Sequence, residues 1–136
     1  MNYNDLITKL LNYAFDSGIG FQVMELKEDM LPFSIPNKKF IIINSNWKNK
    51  NEVPFQIAHE IAHVINEDES CLYQNNSYKL KFEHAADVKA LEILIPIYIG
   101  YSHYNTDNIY PLMEQLRIPN RLINEAKNIT KKCLSY

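Results

Sequence analysis

Two histidines and a glutamate lie within five residues of one another in the segment "FQIAHEIAH" at positions 55–63. On an α-helix, residues four apart share a face, so the imidazoles of His59 and His63 can be directed at one point. Imidazole is a common ligand of zinc and other divalent metals. Glu60 lies about 100° round the helix from His59, too far to share its coordination position but close enough to reach a water beside the metal. The spacing therefore predicts a metal site with a carboxylate base.

The simplest alternative is a buried helix that happens to contain histidine. From the His and Glu content of this chain, the pattern HExxH is expected by chance in roughly one chain in a hundred of this length. The residues around the motif are largely apolar, and unpaired ionisable groups would be costly to bury among them. A bound metal gives a reason for burying all three groups.

A catalytic zinc ion takes three protein ligands and leaves one position for water, so the motif requires a third ligand. We predict that Glu83 supplies it, because the 19 residues between His63 and Glu83 leave room for a loop and a returning helix. Asp87 lies one helical turn further along. We expect its carboxylate to accept a hydrogen bond from the ring nitrogen of His59 or His63 that does not bind the metal, which fixes the tautomer.

Two other residues are alternatives for the third ligand. His84 is adjacent to Glu83, but its side chain points about 100° away around the helix. Cys71 lies in the segment that connects the two helices, and a site containing it would tend towards a closed structural zinc without water. For Glu83 and Asp87 themselves, the alternative is a solvated helix face, although the surrounding apolar residues favour a buried one.

Hydrophobic periodicity predicts the elements that precede the motif. An amphipathic helix covers about residues 5–16, and Gly18 is suited to end it. Three extended segments follow at 21–26, 32–37 and 39–44, the last of them rich in β-branched residues. We expect an α+β fold in which a small, mostly antiparallel sheet of about three strands packs with the motif helix and the glutamate-bearing helix, as in a minimal zincin-like core.

The second half of the chain is predicted to be helical. The motif lies on a helix that extends to about residue 66, and a polar loop at 67–78 leads to the helix "KLKFEHAADVKALEILI". That helix should end near Pro96, because proline cannot donate the next backbone hydrogen bond. Two short helices joined at Pro119 complete the chain.

Composition predicts one domain over residues 1–136. The content of 46% hydrophobic and 22% charged residues is that of a globular protein, and no apolar run approaches the roughly 18 residues of a membrane helix. The polar N-terminal segment does not resemble a signal peptide, and two cysteines are too few for a disulfide framework, so we expect a cytoplasmic protein. A net charge of -2 gives no overall attraction to nucleic acid.

Three segments together resemble one known family. They are "KFIIINSNW" leading into "QIAHEIAHVI", the helix "EHAADVKALEILIP", and the C-terminal segment "EQLRIPNRLINEA". The chain is similar in these segments to the ImmA/IrrE family of metallopeptidase-like proteins, and HExxH with a distant glutamate is also the gluzincin pattern. On matching positions, the resemblance implies that His59, His63 and Glu83 bind one Zn²⁺ ion and that Glu60 is the catalytic base.

The resemblance also implies a substrate. Members of this family occur on phages and integrative elements, where they cleave or inactivate a helix-turn-helix repressor, and others act in stress regulation. We therefore expect a zinc-dependent endopeptidase that acts on a repressor or another regulatory protein through a metal-activated water and Glu60. The substrate could add as a strand along an edge formed by the "FIIIN" segment.

An oxyanion donor is also required, and four residues after the third helix are candidates: Tyr98, Tyr101, His103 and Tyr104. Each of them taken singly is better explained as a surface aromatic residue.

Two alternatives to a peptidase remain open. The protein could be a non-enzymatic, metal-containing regulator that binds a repressor, although Glu60 would have no role there. It could also bind DNA through its C-terminal helices, because five basic residues and a single acidic one (Glu125) follow from position 117 onward. The five basic residues are Arg117, Arg121, Lys127, Lys131 and Lys132.

Overall fold

The structure, a computed structural model, describes residues 2–67 and 76–134, with the side chains of the second stretch described from residue 79. Its helices and strands confirm the predicted α+β class. The elements are α1 (Tyr3–Asp16), β1 (Gly20–Met24), β2 (Phe33–Ile35), β3 (Phe40–Asn44), α2 (Val53–Ile65), α3 (Asn76–Ser102), α4 (Ile109–Leu116) and α5 (Ile123–Leu134). Within these residues, no helix combines the length and the apolar character needed to cross a membrane.

The sheet is mixed, with the strand order β1-β3-β2. β2 and β3 form an antiparallel pair connected by a 3₁₀ turn at Pro36–Lys38, whereas β1 runs parallel to β3 on its other side. The predicted excess of antiparallel pairing is absent because only β2 and β3 are joined by a tight turn. β3 is consequently the central strand, so the "FIIIN" segment has no free edge, and the prediction that substrate adds there is wrong.

One face of the sheet packs against the helices. Ile41 and Ile43 are buried in the hydrophobic core, and α2 contacts both β2 and β3. Ser34 is the partner of Ile41 in the antiparallel register, so the two side chains lie on the same face. The sheet thereby directs the hydroxyl of Ser34 towards α2, the helix that carries the motif.

α3 does not end at Pro96 but continues to Ser102, so the prediction of its end is wrong. Proline removes the hydrogen bond to the carbonyl four residues earlier, that of Glu92. Both Pro96 and Glu92 are on the exposed side of the helix, where water can satisfy that carbonyl, while Ile95 and Tyr98 are buried in the core and hold the helix in place.

The C-terminal helices form the pair that the sequence predicts, on either side of Pro119. Arg117 adopts a left-handed conformation at the end of α4, and a 3₁₀ turn at Asn120–Leu122 leads into α5. Ile118 and Leu122 are both buried, which fixes this turn against the core. α5 packs along α3, so the C-terminal segment lies beside the helix that carries Glu83.

Candidate metal centre

The motif helix α2 lies between α1, α3 and the sheet. The side of α2 that faces these elements is formed mostly by small and β-branched apolar residues. His63 is also buried, with 6% of its surface exposed. The buried apolar residues of α2 are Val53, Pro54, Ile57, Ala58, Ile61, Ala62 and Val64. Packing of this surface on three elements leaves His59, Glu60 and His63 at the edge of a cleft.

The three predicted metal ligands converge. Nε2 of His59 lies 3.0 Å from Nε2 of His63 and 2.9 Å from Oε2 of Glu83, and Nε2 of His63 lies 3.2 Å from Oε1 of Glu83. Tetrahedral zinc with bonds of about 2.0–2.1 Å would separate its ligand atoms by about 3.3 Å. Among the described residues, these three form the one group of histidine and acidic side chains close enough to hold a metal ion.

The fit to a metal is supported by the chemistry of the donors as well as by their spacing. Two imidazoles and one carboxylate are a ligand set of catalytic zinc sites. The observed separations of 2.9–3.2 Å would have to increase by only a few tenths of an ångström to reach the tetrahedral value. Two imidazole nitrogens facing each other at 3.0 Å need a proton or a metal ion between them, since two lone pairs would repel.

The electrostatics of His59 and Glu83 favour a positive charge between them. Burial lowers the pKa of His59, but the carboxylates of Asp87 and Glu83 more than offset this and raise the pKa to about 10. Hydrogen bonds from His59 and His63 hold the pKa of Glu83 well below its usual range. Without a metal, a proton on His59 therefore supplies the positive charge that the carboxylates favour.

Asp87 is positioned behind His59. Its Oδ1 lies 2.9 Å from Nδ1 of His59, an ion-pair contact in which the carboxylate is off the line of the ring N–H bond. Nη1 of Arg121 donates a hydrogen bond of 2.7 Å to the other oxygen, Oδ2. Burial would raise the pKa of Asp87, yet the contacts with His59 and Arg121 lower it overall, so the carboxylate is charged. Of the two histidines predicted as possible partners of Asp87, the structure shows the contact with His59.

Glu60 faces the cleft beside the two histidines. Burial raises the pKa of its carboxyl, opposed by the nearby imidazoles of His59 and His63 and by a hydrogen bond from Ser34. A carboxylate with a raised pKa is a better proton acceptor near neutral pH than an exposed one.

The cleft has a volume of about 470 Å³. Its charged and imidazole lining residues are His59, Glu60, His63, Glu83, Asp87 and Arg121. Its apolar lining residues are Leu31, Pro32, Phe33, Pro36 and Phe55, and Ser34 and Gln56 complete the lining. Leu31 and Phe33 are strongly exposed, at 63% and 46%, so these apolar residues are open to a partner.

The structure does not bring the predicted oxyanion donors to the cleft. The hydroxyl of Tyr101 donates to Asp5, and that of Tyr104 bonds to the carbonyl of Asn108. Tyr98 is buried in the core, and His103 lies just beyond the end of α3. Because α3 continues through Pro96, Tyr98 lies about 16 Å along the helix from Asp87, which separates these side chains from the predicted metal ligands.

The two alternative ligands are also separate from the centre. His84 is exposed and does not line the cleft. Cys71 and most of the predicted loop at 67–78 lie outside the described residues.

Sequence reasoning missed Ser34, Gln56 and Arg121 as residues of the cleft. A signal for Ser34 existed, because Phe33 and Ile35 flank it in an extended segment and strand alternation directs it to the opposite face. Arg121 is 34 positions from Asp87, and no local pattern indicates that contact.

Comparison with protein families agrees with this geometry. The peptidase M78 family model, described as an IrrE N-terminal-like domain, matches residues 18–109, which contain both motif histidines, Glu60, Glu83 and Asp87. No curated protein and no solved structure shows a match to the chain. The family match covers more than half of the chain and agrees with the predicted resemblance, so the chain belongs to the ImmA/IrrE, or peptidase M78, family.

Proposed function

We propose that this protein is a zinc-dependent endopeptidase that cleaves a repressor or another regulatory protein. The observation that carries the proposal is the convergence of His59, His63 and Glu83, whose donor atoms lie 2.9–3.2 Å apart with Glu60 lining the same cleft. Membership of a peptidase family supports the reaction class. The choice of zinc rests on the donor set of two imidazoles and one carboxylate.

Four residues of the cleft, Glu60, Ser34, His59 and Asp87, have a part in the proposed reaction. Zinc, when bound, supplies a Lewis acid that polarises a peptide carbonyl and lowers the pKa of water. Glu60 accepts a proton from the attacking water and passes it to the nitrogen of the leaving amine. The hydrogen bond from Ser34 orients Glu60. The negative charge of Asp87 beside Nδ1 of His59 favours the Nδ1–H tautomer, so that Nε2 is left to bind the metal.

The free edge of β2 is the place where we propose that an extended substrate segment binds. Among the described residues β2 pairs with β3 alone, and its residues Phe33 and Ser34 line the cleft. A segment added to this edge would form backbone hydrogen bonds and pass the groups of α2. The partner is proposed to be a helix-turn-helix repressor, as the resemblance implies, which would place the reaction in the cytoplasm.

Glu60→Gln tests the proposal, because the amide keeps the shape of the side chain but cannot accept the proton. The wild type and the variant are incubated with a candidate helix-turn-helix repressor from the same genome, and metal content and fragment formation are measured. We expect one zinc ion per chain in both proteins and cleavage at least about a hundredfold slower in the variant. Glu92→Gln, on the exposed side of α3, is the matched control and should cleave normally.

Undiminished cleavage by Glu60→Gln would refute its role as the base. Binding of the repressor by the zinc-loaded wild type without any cleavage would instead favour the non-enzymatic regulator.

A further inference from the structure

Arg121 approaches the metal centre from a part of the chain outside the family match. It lies in the 3₁₀ turn at Asn120–Leu122, whereas the match ends at residue 109. Its side chain lines the cleft and donates to Oδ2 of Asp87 at 2.7 Å. The C-terminal segment thus contributes a charged group to the site.

One carboxylate connects Arg121 to a metal ligand. The two oxygens of Asp87 have different partners, Arg121 at 2.7 Å and Nδ1 of His59 at 2.9 Å. The side chain of Asp87 is only 5% exposed, so water can contribute little to its solvation. A buried carboxylate requires charged or hydrogen-bonding partners on both oxygens, and loss of one leaves it free to rotate.

The backbone that carries Arg121 is held firmly. Ile118, just before the turn, and Leu122, its last residue, are 5% and 1% exposed. α5 packs against α3, the helix that carries Asp87. The guanidinium itself is 60% exposed. An ion pair with such an exposed partner contributes little to folding stability, so its contribution is better sought in the orientation of Asp87.

We infer that Arg121 is a positioning residue that fixes the Asp87 carboxylate and, through it, the ring of His59 for metal binding. This inference rests on the proposed function, since it takes His59 as a zinc ligand. Loss of an outer partner of a metal-binding histidine typically lowers metal affinity or activity by about 10–100-fold. A fork of N–H donors suits this role better than the single ammonium of lysine.

Zinc affinity, measured by competition with a chromophoric chelator, tests the inference without any substrate. We expect Arg121→Ala to weaken zinc binding by about tenfold or more and Arg121→Lys to recover part of that loss. The control is Lys127→Ala, which removes a positive charge from an exposed position of α5 outside the cleft lining and should leave zinc affinity unchanged. Thermal unfolding of the metal-free proteins should differ little among all four.

A double-mutant cycle with Asp87→Asn separates positioning from a general effect of charge. In the Asp87→Asn background, Arg121→Ala should change zinc affinity by less than about twofold, because the connecting carboxylate is gone. Nitrogen NMR of the zinc-loaded protein should show Nδ1–H of His59 perturbed in Arg121→Ala and not in Lys127→Ala.

Three results would overturn the inference: unchanged zinc affinity in Arg121→Ala, an equal loss in Lys127→Ala, or an undiminished effect in the Asp87→Asn background. Failure of the wild type to bind zinc would be a different outcome, because it would refute the proposed metal site itself and the inference with it.

Discussion

The two halves of α3 differ sharply in their surroundings. From residue 79 to residue 85 every described side chain is at least partly exposed, and the first fully buried residue is Ala86. From Leu91 to Tyr98 the helix is mostly buried and contributes Leu94 and Ile95 to the core. The first half carries Glu83 and Asp87, and the second half anchors the helix. Along this one helix, the first half therefore serves the proposed metal binding and the second half serves folding stability.

This division matters because a helix is stiff over a few turns. The buried second half fixes the rotation of α3 about its axis, and that rotation decides which side chains face the cleft. Glu83 itself retains 37% exposure of its side chain, so its position depends on the anchor and on its contacts with His59 and His63. Substitutions in the two halves should consequently affect different measurements.

The largest effect is expected in the anchoring half. Leu94 is completely buried, and Leu94→Ala should lower the free energy of unfolding by about 2–5 kcal/mol because it leaves a cavity. Urea denaturation of the metal-free protein measures this loss. Glu92→Ala, on the exposed side of the same half, is the control and should stay within about 0.5 kcal/mol of the wild type. A loss below about 1 kcal/mol for Leu94→Ala would mean that this half is not the anchor.

In the first half, Glu83→Ala should abolish stoichiometric zinc binding, with an affinity loss exceeding the about 10–100-fold typical of an outer partner. The free energy of unfolding of the metal-free protein should change much less than in Leu94→Ala, because Glu83 is partly exposed. His84→Ala provides an adjacent, exposed control. If His84→Ala lost zinc and Glu83→Ala retained it, the alternative ligand of the sequence analysis would be correct.

Zinc itself should stabilise the first half more than the second. At a free concentration of 100 times its Kd, a ligand that binds the folded state alone adds about 2.7 kcal/mol to the free energy of unfolding. Hydrogen exchange with zinc and with a chelator should show the increase in protection from about residue 79 to Asp87, with little change near Leu94. Equal changes in both halves would contradict the division described above.

The last prediction concerns the effect of pH on the stability of the metal-free protein. The pKa of His59 is raised from its usual 6.5 to about 10 by Asp87 and Glu83 against the effect of burial. A raised pKa stabilises the folded state fully below pH 6.5, and this contribution is lost as the pH rises through about 10. Urea denaturation at pH 6 and pH 10 should show a smaller decrease in His59→Gln than in the wild type. An identical decrease would assign the pH dependence to other groups.

Sequence alone was sufficient for the parts of the site that follow from helical periodicity. Four-residue spacing placed His59 above His63, and the same rule placed Asp87 one turn from Glu83. The 19 residues between His63 and Glu83 are enough for a loop and a returning helix, which allows the two helices to approach each other. Both spacings lie within one regular helix, so the relative positions of the side chains follow from the sequence alone.

The parts that sequence did not reveal depend on contacts between distant segments. The parallel pairing of β1 with β3 has no local signal, and neither does the contact of Arg121 with Asp87. The end of α3 was mispredicted because the effect of Pro96 depends on which side of the helix faces water. The same error placed Tyr98 and Tyr101 near the cleft, whereas the continued helix moves them away.

The shortness of β2 has a consequence for selectivity. In the part of the chain that the structure describes, its three residues present an unpaired edge only about 10 Å long, which leaves room for very few ladder bonds with an arriving chain. For the proposed peptidase, any unfolded polypeptide would dissociate quickly from so short a strand edge. A true partner must bring additional contacts from its own folded surface, and this requirement would protect the rest of the proteome from indiscriminate digestion.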